Sequence, residues 1–405
     1  MNYIFLTGLF PSEIISEIRK NTIGIQENAA NNFQWNLING FADNSIDCVS
    51  IINAPFVGSY PRLYRKPKVE QCKIKNRLTS DAISLSYINI RPFKSLEIKR
   101  KIIKKIDERL ILEQQNVIVI YSANQAFIDA AIQIKHSCDN VSICIILPDL
   151  PIYMSAKTNL YYKLRGLHKQ LLFKRRVNYI DSFVFLTEEM KNTISIYNKP
   201  YAIVEGMINE EQLNSQNKYD VNILLRDNEF VVFYAGSLLK KYGILSLIDA
   251  FKLLDDPKYK LWICGEGDAK NDIINYSRID DRVKYWGQVD LEMIYKLQSQ
   301  ANLLINPRSA RDEYTKYSFP SKTLEYLASG KPVLMNKLPG LPKDYYQYIF
   351  FYEETAKSLA EKIEQIRNLG KEFLLDFGQK AKEFVITNKR PSQQCEKIIS
   401  MIIKN

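Results

Sequence analysis

Histidine is almost absent from this chain: of 405 residues, only His136 and His168 are histidines. This scarcity leaves little material for a multi-histidine metal site or for a Ser–His or Cys–His relay. The six cysteines lie far apart, with no Cys-x-x-Cys pair that would indicate a zinc site or a redox motif. We interpret them as reduced core residues of a cytoplasmic protein. Its chemistry is therefore expected to use carboxylates, hydroxyls, backbone amides and cations.

Long apolar runs are also missing. No stretch approaches the roughly 18 to 20 apolar residues of a spanning helix. The apolar residues 1–10 lack a basic leader and a small-residue cleavage site, so they predict a buried strand rather than a signal peptide. With only 15 Gly and 15 Pro, the composition excludes collagen-like and disordered classes. The length predicts two or three domains.

Acidic residues are scarce in the first half of the chain. Residues 1–200 carry 27 Lys and Arg against 17 Asp and Glu, whereas residues 201–405 carry 29 against 28. This asymmetry predicts a first domain that faces a polyanion, either nucleic acid or an anionic membrane. No recognised nucleic-acid module is present and aromatics do not interleave with the cations, so nucleic acid is not the predicted partner.

Two segments hold much of the excess charge. Between Asp149 and Asp181 there are seven cations and no acid, with leucines at helical spacing (Leu160, Leu164, Leu167, Leu171). Such a helix either lies on an anionic bilayer or packs its leucines on its own domain. The second basic segment, Arg62 to Arg77, is a loop near an anionic ligand or a solvated loop.

Short β-branched runs alternate with helix-length segments along the whole chain. The predicted strands are Tyr3–Leu6, Cys48–Ile52, Ala82–Ile90, Val117–Tyr121, Val141–Leu147, Ser182–Leu186, Phe230–Tyr234, Lys260–Cys264, Val283–Trp286, Leu303–Ile305 and Val333–Met335. This pattern predicts an α/β protein with two doubly wound, Rossmann-like domains. We place the first domain at residues 1–204 and the second at 205–385. A terminal helix at 386–405 is expected to pack back on the first domain.

Ligands of such sheets sit at the carboxyl ends of the strands, so the loops of the second domain are the place for chemistry. After Phe230–Tyr234 comes a Gly236-Ser237 turn followed by Lys240 and Lys241, which could accept a phosphate. After Lys260–Cys264 comes Gly265, but the third glycine of a dinucleotide fingerprint is replaced by Lys270. A nicotinamide cofactor is therefore not predicted.

The loop after Leu303–Ile305 is the most informative. Pro320 stands at a first helical turn and Gly330 closes the helix. The free amides of Ser321, Lys322 and Thr323 would then point at an anion. One turn further, Glu325 could accept both hydroxyls of a ribose while phosphates sit at the helix tip.

At this point the sequence resembles a known family. The motifs are Tyr234-Ala-Gly-Ser-Leu238, Trp262-Ile-Cys-Gly-Glu-Gly267, Trp286-Gly-Gln-Val289 and Ser318-Phe-Pro-Ser-Lys-Thr-Leu-Glu325. Their order is similar to that of the retaining, GT-B-fold glycosyltransferases of family four, especially the bacterial branch that builds capsule and exopolysaccharide. The resemblance implies that the second domain binds a nucleotide sugar, by family habit a UDP-sugar, that the first binds the acceptor, and that the two face a cleft.

The resemblance also implies roles for single residues. The family carries two glutamates eight residues apart; the second matches Glu325, but the first falls on Tyr317, so either Glu313 or the Tyr317 hydroxyl would contact the sugar. The family's phosphate-binding Arg and Lys positions are occupied here by Ser237 and Tyr242, which leaves Lys240 and Lys241 to bind the phosphates instead. The expected catalytic residues are Lys241, Lys322, Glu313 and Tyr317. The expected donor-binding residues are Gly236, Ser237, Lys240, Gly265, Val289, Ser318, Pro320, Ser321, Thr323 and Glu325.

From the first domain, Asp149 follows a buried strand and is read either as an acceptor contact or as an ordinary turn residue. The resemblance implies a retaining hexosyltransferase without cofactor or metal, acting on a lipid-diphosphate-linked saccharide in bacterial surface polysaccharide synthesis. We expect the protein to sit peripherally on the anionic inner face of the plasma membrane. The alternative is a non-catalytic partner subunit of the same fold, which lost its sugar contact at Tyr317.

Overall fold

A computed structural model describes residues 1–24, 28–44, 46, 48–152, 160–208 and 228–404, with the side chains of 160–163 left out. The chain divides into two compact units. The first comprises Met1–Met207 together with Pro391–Asn405, and the second comprises Ile208–Arg390.

The first unit is built on an eight-stranded sheet. The described strands of this unit are β1 (Asn2–Thr7), β2 (Cys48–Asn53), β3 (Lys68–Val69), β4 (Cys72–Lys73), β5 (Ala82–Ser84), β6 (Tyr87–Ile88), β7 (Asn116–Tyr121), β8 (Val141–Leu147), β9 (Ser182–Phe185) and β10 (Tyr201–Ile203). Strands β3 and β6 form a separate two-stranded sheet. The sheet order is β10-β9-β8-β7-β1-β2-β5-β4. All neighbours are parallel except β4, which pairs antiparallel with β5.

The helices of this unit connect the strands and cover the sheet. They are α1 (Ile15–Asn21), α2 (Asn28–Asp43), α3 (Phe93–Asp107), α4 (Gln125–Lys135), α5 (Leu160–Arg176) and α6 (Glu188–Thr193). Every residue of β1 and β7 is buried, as expected for parallel strands covered on both faces. This confirms the predicted α/β class.

One predicted strand is wrong in detail. The run Ala82–Ile90 divides into β5, which belongs to the large sheet, and β6, which pairs antiparallel with β3 in a two-stranded sheet. The Leu85 amide still donates to the Asn53 carbonyl of β2, and the chain leaves the large sheet after this residue. The same apolar run thus serves two sheets.

The second unit is an all-parallel, six-stranded sheet. Its strands are β11 (Phe230–Ala235), β12 (Tyr259–Cys264), β13 (Val283–Gly287), β14 (Leu303–Asn306), β15 (Val333–Asn336) and β16 (Phe350–Tyr352), in the order β13-β12-β11-β14-β15-β16. Its helices are α7 (Ile244–Phe251), α8 (Lys270–Ile279), α9 (Leu291–Gln300), α10 (Ser321–Ala328), α11 (Ala356–Asn368) and α12 (Lys371–Asn388). The strand order reverses between β11 and β14, so the ligand crevice of this fold is expected at their carboxyl ends.

The terminal helix α13 (Pro391–Ile403) belongs to the first unit, and α12 continues to Asn388, past the predicted boundary at 385. Helix α13 packs against α2: the Cys395 thiol donates to the Leu37 carbonyl (3.4 Å), and a Cβ added at Gly40 would lie only 2.3 Å from the Pro391 carbonyl oxygen. Glycine at position 40 therefore permits this close approach.

We expect Gly40→Ala to destabilise the protein by about 1–3 kcal/mol, because the added methyl group must displace α13. Alanine alone would strengthen a helix by up to about 1 kcal/mol. A denaturant midpoint measures the change, with Asn32→Ala on the exposed side of α2 as the control. A gain in stability from Gly40→Ala would contradict the tight packing of the two helices.

Candidate functional site

The carboxyl edge of the second sheet brings several loops into backbone contact. Gly243 has φ +78°, and a Cβ added there would lie 2.0 Å from the Pro307 carbonyl oxygen. The loop after β11 therefore touches the loop after β14, on the two sides of the point where the strand order reverses.

A second close contact joins the loops after β11 and β12. Gly265 has φ +135°, and a Cβ added there would lie 1.7 Å from the Gly236 carbonyl oxygen. The Gly236 amide donates to the Cys264 carbonyl (3.0 Å), and the Gly265 amide donates to the Gly287 carbonyl (2.9 Å). Gly265 is thus required by backbone packing, whether or not a ligand touches it.

The Lys322 side chain crosses this edge. A Cβ added at Gly236 would lie 2.6 Å from Cε of Lys322. Burial raises the pKa of the Cys264 thiol to about 12, against the opposing charge of Lys322. Lys322 therefore places a cation at the carboxyl ends of β11 and β12.

Helix α10 carries the predicted anion site, and its buried side is bonded to β11 through Tyr326. The Tyr326 hydroxyl accepts from the Ala235 amide (3.0 Å) and lies 3.3 Å from the Ala235 carbonyl, which it can donate to. Ser321 is exposed, while Lys322 and Glu325 are partly exposed on the same side. The predicted phosphate and ribose residues therefore share one accessible side of the helix.

Thr323 differs from the expectation. Its amide donates to the Pro320 carbonyl (2.8 Å), and its hydroxyl lies 3.6 Å from the Met335 sulfur. The side chain is fully buried and packs α10 against β15. Thr323 therefore does not present a group to a ligand. Among the described residues, the amides of Ser321 and Lys322 make no hydrogen bond.

The structure separates the two adjacent lysines. The Lys240 ammonium forms an ion pair with Asp272 (2.9 Å), and its backbone amide donates to Asp268 (2.7 Å). The hydrogen bond to Asp272 raises the pKa of Lys240. Lys241 instead lies 5.3 Å from the Tyr242 ring centroid and 5.8 Å from that of Tyr314. Of the two, Lys241 is the one that points to the loops of the site.

Arg308, which the sequence reasoning missed, stands at the centre of these loops. Its Nε donates to the Tyr314 hydroxyl and its Nη2 to the Ser318 hydroxyl, both at 3.2 Å. The guanidinium lies over the rings of Tyr242 (5.3 Å) and Tyr314 (4.6 Å). Its position two residues after the end of β14 was the available signal, because a cation at that carboxyl end faces the crevice.

Tyr234 supports the Gly236-Ser237 turn. Its hydroxyl donates to the Ser237 carbonyl (2.9 Å), and burial raises its pKa while the Arg308 charge opposes that rise. Gly236, Ser237, Ser318, Lys241, Lys322 and Arg308 therefore belong to one continuous edge. We call Lys241, Arg308 and Lys322 the cation triad.

The two candidates for the sugar contact lie less centrally. Glu313 begins a 3-10 turn (Glu313–Lys316); its side chain is exposed and makes no hydrogen bond or ion pair among the described residues. Tyr317 ends that turn, is half-buried, and donates its amide to the Tyr314 carbonyl (3.1 Å). Tyr314 is the residue of this turn whose side chain reaches Arg308.

Val289 is half-buried two residues after β13, next to Asp290, which caps α9 by accepting from the Met293 amide (2.8 Å). Pro320 is buried at the start of α10. In the first unit, Asp149 is exposed two residues after β8, at the carboxyl edge of that sheet.

Within the described parts of the chain, no group of three His, Cys, Asp or Glu side chains could hold a metal ion. Over the same parts, no helix has the length and apolar character needed to cross a bilayer.

Residues 215–384 match the family model described as glycosyl transferases group 1. A search of the curated proteins finds no match. Among solved structures, sucrose-phosphate synthase from Thermosynechococcus elongatus is similar with a TM-score of 0.67 at 14% identity, over 100% of this chain and 99% of that chain.

A trehalose-6-phosphate synthase studied for glycosyltransfer with retention has a TM-score of 0.67 at 10% identity, with 99% of each chain covered. The E. coli trehalose-6-phosphate structure bound with UDP-2-fluoro glucose has a TM-score of 0.63 at 11% identity, with 98% of each chain covered. The solved structures show that the chain has the GT-B fold, and the family match lies within the second unit.

Proposed function

We propose that this protein is a retaining hexosyltransferase that uses a UDP-sugar donor and a lipid-diphosphate-linked saccharide acceptor in bacterial surface polysaccharide synthesis. The observation that carries the donor half is the cation triad beside the amino terminus of α10, within the segment that matches the family model. Helix amino termini and cations bind phosphate groups through free amides and charge.

In this proposal the diphosphate lies at Ser321 and Lys322, and Glu325 accepts from the ribose hydroxyls one turn along α10. Arg308 and Lys241 neutralise the diphosphate as it leaves. Arg308 takes the place of the arginine that the family has at Ser237. Such preorganised donors are worth about 3–4 kcal/mol each in the transition state, and no divalent metal is part of the proposal.

The reaction needs no protein nucleophile. The bond from the anomeric carbon to the diphosphate oxygen breaks, the acceptor hydroxyl oxygen bonds to the same face of that carbon, and its proton passes to the departing phosphate oxygen. The similarity to a synthase that transfers with retention, and to one bound with a UDP-sugar analogue, supports this assignment. The Glu313–Lys316 turn and Tyr317 would border the sugar.

The second candidate, a non-catalytic partner subunit, is favoured by Tyr317 at the position of a family glutamate. Donor hydrolysis separates the two: an enzyme releases UDP slowly from its UDP-sugar even without acceptor, whereas a non-catalytic subunit releases none.

Glu325→Gln should weaken the binding of UDP and of the UDP-sugar alike, by roughly tenfold, because both ligands share the ribose and the variant loses a charged hydrogen-bond acceptor. Titration calorimetry measures both affinities. Glu364→Gln, an exposed site on α11, is the matched control. Unchanged affinity for both ligands in Glu325→Gln would remove Glu325 from the site.

Lys241→Ala and Lys322→Ala should each lower kcat about 100-fold with little change in thermal stability, because these cations act on charge that develops in the transition state. Arg308→Ala should lower kcat as much and should also lower thermal stability, because it removes the hydrogen bonds to the Tyr314 and Ser318 hydroxyls. Lys240→Ala should retain most activity, since its ammonium is paired with Asp272. Full turnover in the double variant Lys241→Ala, Lys322→Ala would refute the proposed phosphate site.

The membrane half of the proposal rests on α5. Three leucines of the predicted stripe are exposed rather than packed on the unit: Leu164 by 59%, Leu167 by 47% and Leu171 by 52%. Phe173 and Val177 are buried on the opposite side of the segment. Lys174 and Arg175 are exposed beside the leucines. An apolar stripe with flanking cations is the pattern of a helix that lies on an anionic bilayer.

Not every cation of α5 is available for lipid. Arg176 donates to Asp129 through Nε (2.5 Å) and Nη2 (3.1 Å), so it holds α5 to α4. Lys174 and Arg175 have no ion-pair partner among the described residues. The membrane test must therefore leave Arg176 in place.

Two double variants should each reduce flotation with phosphatidylglycerol vesicles at least tenfold. In Lys174→Glu with Arg175→Glu, each lost cation contributes about 1 kcal/mol near an anionic surface. In Leu167→Ser with Leu171→Ser, the apolar side chains that would enter the bilayer interface are lost. Lys357→Glu with Lys380→Glu, exposed in the second unit, is the charge-matched control. Equal binding to neutral and anionic vesicles would show that the charge excess does not serve membrane docking.

A further inference from the structure

The loop after β14 is held by a side chain from a strand that is not its neighbour. The Ala310 amide donates to one oxygen of the Glu354 carboxylate, and Nε of Arg311 lies 2.8 Å from the other. Glu354 stands two residues after β16, whereas Ala310 follows β14, and β15 lies between these two strands in the sheet. One carboxylate therefore reaches past a strand to the loop that carries Arg308.

The intervening strand supports the same loop. Asn336, the last residue of β15, donates through Nδ2 to the Arg308 carbonyl (2.8 Å) and to the Tyr352 hydroxyl (3.0 Å). Asn336 and Tyr352 are both buried, so these bonds are shielded from water. The backbone of Arg308 is thus fixed near the end of β14, and the position of its side chain depends on residues further along the loop.

The guanidinium of Arg308 takes its position from Tyr314. The Tyr314 hydroxyl accepts from Nε of Arg308 (3.2 Å), and the centroid of its ring lies 4.6 Å from the guanidinium carbon. Tyr314 belongs to the Glu313–Lys316 turn. A displacement of this turn therefore moves the cation that the proposed reaction needs beside the diphosphate.

Thr315 connects that turn to Ala310. Its hydroxyl is within hydrogen-bonding distance of two carbonyl oxygens, those of Asp312 (2.6 Å) and Ala310 (3.3 Å), and its side chain is fully buried. Ala310 is thus contacted through its carbonyl by Thr315 and through its amide by Glu354. These contacts form a continuous path from Glu354 to the turn that carries Tyr314.

The carboxylate of Glu354 is not needed to cap the helix that follows it. Thr355 caps α11 by accepting from the Ser358 amide (3.0 Å). The Arg311 side chain is 79% exposed, against 19% for that of Glu354. An ion pair with so exposed a partner contributes little to stability. The hydrogen bond to the Ala310 amide is therefore the contact through which Glu354 acts on the loop.

We propose that Glu354 is a positioning residue, which holds Ala310 so that the Glu313–Lys316 turn keeps Tyr314 against Arg308. This inference deepens the proposed function and rests on it for the role of Arg308 in transfer. It makes the reach of the side chain more important than its charge. Glutamine has the length of glutamate and a carbonyl oxygen that accepts from the Ala310 amide, whereas aspartate keeps the charge and is one methylene shorter.

The test measures UDP release by variants of the full chain, from whichever of UDP-glucose, UDP-galactose and UDP-N-acetylglucosamine the parent protein hydrolyses fastest. Glu354→Asp and Glu354→Ala should each lower kcat about tenfold and change the donor KM by less than about twofold, because a misplaced Arg308 stabilises the leaving diphosphate less well. Glu354→Gln and Arg311→Gln should retain at least roughly half of the parental kcat. Glu353→Ala, which removes the adjacent and exposed carboxylate, is the matched control.

A double-variant cycle separates positioning from general damage to the fold. In an Arg308→Ala background, Glu354→Ala should lower kcat by less than about a further twofold, because the group that it positions is already gone. Glu354→Asp serves for the same comparison if Glu354→Ala does not fold. Losses that multiply in the double variant would overturn the proposal, since a merely structural role acts whether or not Arg308 is present. An active Glu354→Asp beside an inactive Glu354→Gln would contradict it as well, because charge would then outweigh reach.

Hydrogen exchange of the amides of residues 309–317 tests the bond to Ala310 without turnover. In the ligand-free protein, exchange at the Ala310 amide should be about tenfold faster in Glu354→Asp and unchanged in Glu354→Gln. Parental exchange in Glu354→Asp would show that Glu354 does not hold the loop. A parent protein that releases no UDP would count against the proposed function, whereas the exchange rates would still decide whether Glu354 holds Ala310.

Discussion

The close approach of backbone to backbone at the carboxyl edge of the second sheet is the constraint on which the site depends. Gly265 and Gly243 bring two loops against the carbonyl groups of Gly236 and Pro307, at distances that no side chain permits. This packing lets Lys322 cross Gly236 and keeps Arg308 beside Tyr242. The cations are long and flexible, so it is the fixed backbone beneath them that limits where their charges can be.

Much of the fold can be predicted from the sequence because buried parallel strands are short, continuous apolar runs. The predicted strand Val141–Leu147 has the same bounds as β8 in the structure. Strand β16 was missed, since three residues give too short a run to stand out. The split of Ala82–Ile90 could not be foreseen, because hydrophobicity does not tell which sheet a residue joins.

The site was predictable in its outline and not in its details. Glycine turns and a proline at a helix start can be recognised in the sequence. The sequence does not show, however, which of the neighbouring lysines Lys240 and Lys241 faces the site. Their difference arises from Asp272, a partner one helix away. Arg308 lies outside the motifs that carry the resemblance, so the resemblance does not mark it. The Thr323 side chain turns inward because of the helix phase, which the motif does not specify.

The Tyr326 hydroxyl has a consequence for how the crevice is kept open. Strands β11 and β14 pair only at Val232 and Phe233, so the sheet divides toward its carboxyl end. There, the hydroxyl of Tyr326 meets the Ala235 amide where a neighbouring strand would otherwise stand. One phenol oxygen thus acts as a substitute for a strand, and the gap between β11 and β14 is a permanent feature of the sheet that needs no ligand to create it. A ligand arriving there meets a prepared opening and spends none of its binding free energy on separating strands.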